Sequence, residues 1–258
     1  MRLVTATCRV PVKLRFAPTS IDVISVDLFD TVLLRDHRCE RRRFLLMARQ
    51  AAQALRQAGH DVSADALYRS RLDAQRLAYR ALELARPQGD VPLARIYHMQ
   101  TTVLGLPADA AERLKAAELD FEAASLRPNR RLLHRLAALR AGGKRVIAIS
   151  DIYLPRVDLC SLLGRVAPGH PIDAVYCSAE LNLTKRSSEL FRAVLDLEGV
   201  QARRVLHLGD DRRADHEMAR RAGLHAQWLP RRRMKLLRKL DGVLLLSGAG
   251  AQAAAGAA

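Results

Sequence analysis

Cysteine is scarce and scattered. Cys8, Cys39, Cys160 and Cys177 are the whole complement, and none stand in a C-x-x-C spacing. Neither a zinc ribbon nor a disulfide framework is indicated, and a reducing, cytoplasmic setting is expected. Aromatic residues make up only 4% of the chain and do not interleave with the basic ones, which argues against the stacking platforms of nucleic-acid binders. No uninterrupted run of about 18 apolar residues occurs, so a membrane-spanning helix is not expected. The first twenty residues hold one apolar patch, Leu3–Thr7, cut off by Arg9 and Lys13; that is a poor secretory signal. Positive charge, in contrast, is abundant: the formal net charge is +16, with arginine far ahead of lysine. This balance suits phosphorylated or anionic partners, and it also suits an arginine-rich coat on solvated helix faces.

At 258 residues the chain can bury a sizeable core as one large domain, or as a domain plus an insertion. Strand-like apolar runs cover Ile21–Asp27, Arg145–Ser150, Ala174–Ser178 and Val205–Gly209, with a weaker fifth at His225–Leu229. Helical patterns at Arg156–Leu163, Ser187–Leu197 and Asp215–Ala222 lie between the later runs. Strands alternating with helices of this size imply βαβ units and a parallel, doubly wound (Rossmann-like) α/β sheet. The span from Asp36 to Leu126 is different. It is rich in Ala, Leu, Arg and Glu, with apolar residues at helical spacing (Leu45, Ala48, Ala52, Leu55; Leu114, Ala117, Phe121, Ala124) and breaks near Gly59, Pro87 and Gly105. It reads as three or four helices inserted after the first strand. A helix from Asn129, closed by Gly142–Gly143, returns the chain to the sheet. The expected division is a discontinuous core of residues 1–35 and 128–230, a helical insertion of 36–127, and a basic C-terminal segment of 231–258. That last segment, RRRMKLLRKLDGVLLL, is expected to pack its leucines onto the domain. Contact of residues 231–245 with an anionic membrane is the less favoured reading, and the Ala/Gly tail is expected to be disordered.

The first strand ends in DLFDT, so Asp27, Asp30 and Thr31 stand where an apolar run gives way to a loop. Ligands gather at the carboxyl ends of strands in open parallel sheets, although a lone Asp there can equally cap a turn. Four strand ends together say more. Asp27 is followed by Ser150 in VIAISD, by Lys185 in LTKRSS at the start of a helix, and by Asp210, Asp211 and Asp215 in LGDDRRAD. A carboxylate, a hydroxyl, an ammonium and an acidic cluster are the parts phosphoryl transfer requires. Asp27 can attack phosphorus, and Lys185 with its helix N-terminus can offset the phosphate charge. Ser150 and the N–H groups after it can donate to a phosphoryl oxygen. Asp210 with Asp211 or Asp215 can hold Mg²⁺ through hard oxygen ligands. His207, inside an apolar strand, reads as a core residue or a support behind the site's side chains rather than a catalytic base. Tyr153 and Arg35 read as residues that shape their loops.

In these motifs the sequence resembles the haloacid dehalogenase superfamily of hydrolases. It is closest in pattern to a branch written D-x-F-D-T-L-x-x-R, S-D-x-Y-L-P and H-x-G-D, here DLFDTVLLR, SDIYLP and HLGDD. The resemblance covers residues 21–229. It implies that Asp27 carries an aspartyl-phosphate intermediate and that Mg²⁺ takes Asp27, the Phe29 backbone carbonyl, and Asp210 with Asp211 or Asp215. It also implies that Thr31, Ser150, Asp151 and Lys185 serve the phosphate, and that the insertion is a C1-type α-helical cap over the site. A small phosphorylated metabolite is the expected substrate. Family phosphatases carry an Asp two residues past the nucleophile as general acid and base; here Phe29 stands there. Asp30 is the replacement candidate, although alternation along an extended chain turns it away from Asp27. Members of this branch often accompany polysaccharide-assembly genes, so the alternative is a catalytically weak module binding a phospho-ligand or partner in glycan assembly. Carbon–halogen and phosphonate cleavage rank lower; the latter would rest on Lys115, the lysine of the insertion.

Overall fold

The computed structural model describes residues 20–255, with side chains through 247. Cys8 and the Leu3–Thr7 patch therefore lie outside the described residues. Five strands form one parallel sheet: β1 (Val23–Val26), β4 (Arg145–Ser150), β5 (Ala174–Cys177), β6 (Val205–Gly209) and β7 (His225–Trp228), in the order β5-β4-β1-β6-β7. Two further strands, β2 (Leu33–Leu34) and β3 (Arg127–Pro128), pair antiparallel. The chain moves outward from β1 to β4 and β5, then crosses to β6 and β7 on the other side. The strand order thus reverses at β1, where open α/β sheets leave a ligand crevice.

Alternation along the strands sends side chains to two layers. Ile24, Val26, Val146, Ala148, Leu206 and Leu208 belong to one core, with leucines of α5 (Arg130–Ala141) and α6 (Arg156–Val166). Val23, Ile147, Ile149 and Val205 belong to the other, with Leu190, Phe191 and Val194 of α8 (Glu189–Glu198) and Ala219 of α9 (Met218–Arg221). Each fully buried Leu or Phe contributes about 1.5–3 kcal/mol of transfer free energy. The two layers explain why these strands read as continuous apolar runs. Asn129 caps α5 by accepting from the Leu132 N–H, and Gly143, with φ 83°, lies just past its end in the left-handed region.

Four helices fill the insertion: α1 (Glu40–Gln57), α2 (Ala64–Ala85), α3 (Leu93–Val103) and α4 (Asp109–Ser125). Their breaks fall where Gly59, Pro87 and Gly105 stand in the sequence. The passages into and out of this unit are the paired strands β2 and β3, and Arg35 beside them bonds Glu122 of α4 through Nε at 3.4 Å and Nη2 at 3.2 Å.

The last helix, α10, spans Arg232–Ala255, and the side chains of the Ala/Gly tail lie outside the described residues. Two expectations are corrected. The helix foreseen over Asp215–Ala222 begins instead as a widened π-turn over Arg212–Glu217 and continues as the short α9. The leucines of α10 do not pack onto the domain: Leu236, Leu237, Leu240 and Leu244 are exposed, while its charged residues make the contacts inward. Among the described residues no helix is long and apolar enough to cross a membrane.

Candidate active site

The crevice at β1 holds a compact charge cluster. Asp27 directly follows β1, and its N–H donates to the Leu208 carbonyl of the neighbouring β6 at 2.9 Å, which fixes it beside the end of that strand. Lys185 enters on a 3-10 turn (Lys185–Ser187) between the four-residue helix α7 (Ser178–Leu181) and α8, rather than on the first turn of α8 as its sequence setting suggests. Its Nζ donates to Asp27 Oδ1 at 2.7 Å and to Asp215 Oδ1 at 2.6 Å. Its backbone N–H donates to Asp151 Oδ1 at 2.8 Å, so the second motif holds the lysine turn in place. Carboxylate oxygens of Asp27, Asp210 and Asp215 lie within 4.8 Å of one another, all three residues buried.

Asp215 reaches this position because Gly209 has no side chain: a Cβ there would come within 2.2–2.4 Å of the Asp215 carboxyl. The Asp211 N–H donates to Asp215 Oδ2 at 2.9 Å. The Asp211 carboxylate itself accepts from the N–H groups of Arg213 and Ala214, at 2.9 and 2.8 Å. It caps the π-turn and stands outside the three-carboxylate cluster. Of the two, Asp215 is the one that faces Asp27 and Asp210.

Behind Asp215 stand His207, expected to be a core or supporting residue, and Ser25, which the sequence had not singled out. His207 Nε2 stands 3.3 Å from Asp215 Oδ1, and its Nδ1 meets Ser25 Oγ at 2.8 Å. Ser25 and His207 occupy matched positions of β1 and β6, and the Phe191 ring meets the imidazole edge-on at 4.8 Å. Burial holds His207 below its ordinary pKa, so it is neutral. The alternation that places Val23 and Val205 in one layer also aligns Ser25 with His207; two polar residues at matched positions were the available signal.

The electrostatics follow from burial and sharing. Burial, together with the Asp215 and Asp210 charges, pushes Asp27 well above the carboxylate range despite Lys185. Asp215 is buried as well, but Lys185 and His207 hold it below that range. Burial also raises Asp210, against the pull of Lys235. Lys185, although buried, is kept charged by Asp215, Asp27 and Asp151. Two buried carboxylates, Asp27 and Asp215, share the buried ammonium of Lys185, while Asp210 beside them faces Lys235; burial leaves Asp27 and Asp210 raised.

Ser150 closes β4 and is buried. Thr31 is buried too, and its hydroxyl has no protein partner. The Thr31 carbonyl accepts from Asn129 Nδ2 at 2.9 Å. Asp151 Oδ2 is likewise buried without a partner. Phe29 is buried, with the Arg35 guanidinium 4.0 Å above its ring.

Asp30 does not replace the missing acid. Its backbone takes φ 64°, a left-handed turn that Asp tolerates. Its carboxylate is gripped by Arg231 and by Arg238, the latter at 2.5 and 2.8 Å. Burial alone would raise it, but the guanidiniums of Arg238, Arg231 and Arg35 hold it below the ordinary range. A carboxylate so paired stays ionised and has no proton to give.

The insertion also reaches the strand ends. Asp90, on the segment before α3, accepts from Ser178 Oγ at 2.5 Å and from Tyr79 at 2.6 Å, and Ser178 Oγ accepts from the Ile152 N–H at 2.7 Å. Tyr153 donates to Glu118 of α4 at 2.7 Å. The Leu93 N–H donates to the Tyr153 carbonyl at 2.8 Å.

A family model of haloacid dehalogenase-like hydrolases matches residues 21–223. The chain belongs to this family. Among solved structures, a 2-haloacid dehalogenase from Pseudomonas syringae pv. tomato DC3000 is 17% identical over 81% of this chain and 86% of its own, with a TM-score of 0.53. The L-2-haloacid dehalogenase RSc1362 is 19% identical over 82% and 87%, with a TM-score of 0.51. An L-2-haloacid dehalogenase from Xanthobacter autotrophicus, with chloropropionic acid covalently bound, is 13% identical over 81% and 77%, with a TM-score of 0.50. At such identities the likeness concerns the fold alone. No curated protein matches the sequence. The chain is thus a haloacid dehalogenase-like hydrolase, with Asp27 and Phe29 of its first motif at the end of β1.

Proposed function

We propose that this hydrolase is a Mg²⁺-dependent phosphatase of small phosphorylated metabolites, acting through a phosphoryl group carried on Asp27. The observation behind this reading is the single ammonium of Lys185 shared by Asp27 and Asp215, with Asp210 completing three carboxylates within 4.8 Å. Hard oxygen donors suit Mg²⁺, and carboxylates buried with too little positive charge suit any divalent cation. Asp27, Asp210 and Asp215 would hold the ion, with the Phe29 carbonyl as a further oxygen. Once bound, it would offset the repulsion between a phosphate dianion and Asp27.

The side chains then divide the work. A carboxylate oxygen of Asp27 bonds to phosphorus as the bond from phosphorus to the leaving oxygen breaks. Water next attacks that phosphorus, releasing inorganic phosphate and restoring Asp27. Lys185 keeps its charge throughout and holds Asp27 in line. Ser150 and the N–H groups beyond it donate to phosphoryl oxygens. The Thr31 hydroxyl and Asp151 Oδ2, buried without protein partners, are the polar atoms of the first two motifs still available to a ligand. The helical insertion acts as the cap that selects substrate.

With Phe29 apolar and Asp30 clamped, the leaving oxygen receives no proton from the first motif. The absence of general acid help costs roughly 10²- to 10⁴-fold in rate, so aryl and acyl phosphates are preferred over alkyl esters. Carbon–halogen cleavage needs no metal and would leave Asp210 without a purpose. The phosphonate route has weak support, because Lys115 is paired with Glu112 at 2.9 Å and sits 4.0 Å from Asp158. A second reading, a weakly active module binding a phosphorylated ligand or a partner protein in glycan assembly, draws on the same clamp on Asp30. A panel of phosphate esters with Mg²⁺ separates the two. Turnover of aryl phosphates that Asp27→Asn abolishes supports the phosphatase; no turnover, with ligand binding intact in Asp27→Asn, supports the module.

A further inference from the structure

The C-terminal helix is inverted relative to an ordinary surface helix, whose apolar stripe faces the core. In α10 the inward side is charged. Lys235 meets Asp210 Oδ2 at 3.1 Å, Arg238 grips Asp30, and Asp241 bonds Arg42 of α1 at 2.7 Å. The outward side carries Leu236, Leu237, Leu240, Val243 and Leu244, at the i, i+1, i+4, i+7, i+8 spacing of one helical face. Of eleven large apolar side chains exposed among the described residues, six, including Leu246, lie on this helix. The other five are spread singly. Contiguous apolar stripes of this kind mark interaction surfaces.

We propose that the outward face of α10 docks the protein on an anionic lipid surface. The charge around the stripe selects this occupant. Arg233 and Lys239 are exposed beside the leucines, and the chain as a whole carries +16. A second copy would bring its own +16 to the interface, whereas anionic headgroups neutralise the charge while the acyl boundary takes the leucines. Residues 242–258 continue the segment without a single charge. The helix lies on the surface rather than crossing it, since it is not long and apolar enough to span. Because its inner side holds Asp30 and Asp210, docking would bring the candidate site to about one helix diameter, ~10–12 Å, from the headgroups. The docking surface itself stands independently of the reaction proposed above.

Flotation of the full chain with phosphatidylcholine vesicles, with and without phosphatidylglycerol, tests this. Wild type is expected to float with the anionic vesicles only, and to be released by high salt. Leu237→Glu with Leu244→Glu should cut binding at least tenfold with Tm unchanged, since both side chains point outward. Arg233→Ser with Lys239→Ser should weaken it by roughly fivefold per charge, while the distant pair Arg69→Ser and Arg76→Ser on α2 should not. Three results overturn the proposal: no flotation with anionic vesicles, equal flotation with both kinds, or a glutamate double variant that floats like wild type. Light scattering that shows a dimer, dissolved by the same glutamates without any lipid binding, would assign the face to a second copy instead.

Discussion

Replacing Lys185 by Met keeps the side-chain stem and deletes the charge that Asp27 and Asp215 share. The ammonium lies 2.7 Å from Asp27 and 2.6 Å from Asp215. At an effective permittivity of about 20, each contact is a gross attraction of roughly 6 kcal/mol, and two carboxylates ~4.8 Å apart repel by about 3–4 kcal/mol. Desolvation offsets much of this, and removing one partner from a buried ion pair typically costs about 3–5 kcal/mol. The sign of the pH dependence follows from Asp27. Its folded-state pKa is already raised, to about 8 in the wild type, and loss of Lys185 raises it further. A carboxyl raised on folding stabilises the fold fully below its unfolded value, about 3.9, and loses that contribution as pH climbs through the folded value. Asp215, now depressed by Lys185, would lose its own stabilisation above the unfolded value. The deficit of Lys185→Met should therefore be small only near pH 3, below the unfolded carboxylate value, and approach the full ~3–5 kcal/mol near pH 8. Urea unfolding of metal-free protein across that range measures it. A deficit under about 1 kcal/mol at pH 8, or one independent of pH, would mean that the ammonium does not balance these carboxylates.

Three further outcomes follow from neighbouring residues. Phe29→Asp should raise turnover of alkyl phosphates more than of aryl phosphates, by up to roughly 10²-fold; an equal effect on both, in steady-state kinetics, would sink the explanation based on proton donation. Asp211→Ala should cost about 1 kcal/mol of stability through the lost cap, while Mg²⁺ affinity by calorimetry stays close to wild type; a tenfold loss would return Asp211 to the metal. Gly209→Ala drives a methyl into the Asp215 carboxyl and should cost about 1–3 kcal/mol along with most Mg²⁺ binding, read from Tm with and without the ion.

The strands of the sheet and the residues at their carboxyl ends were legible in the chain itself. Apolar runs ending in Asp27, Ser150 and Gly209–Asp210 mark buried strands and their carboxyl ends, because a strand covered on both faces must be apolar until it reaches solvent. The breaks at Gly59, Pro87 and Gly105 delimit the inserted helices for an equally local reason. Even the role of Asp211 left a local trace, as an Asp immediately before a helical turn. Other features left none. Asp30 looks available in DLFDT, yet its charge is consumed by Arg231 and Arg238 some 200 positions away. The basic leucine helix shows the same amphipathic pattern whichever side faces the protein. Only the packing decided, because Asp30, Asp210 and Arg42 attract its charged side and leave its leucines outward. Periodicity records how a segment partitions between apolar and polar surroundings, and it carries no record of which distant charge will stand opposite.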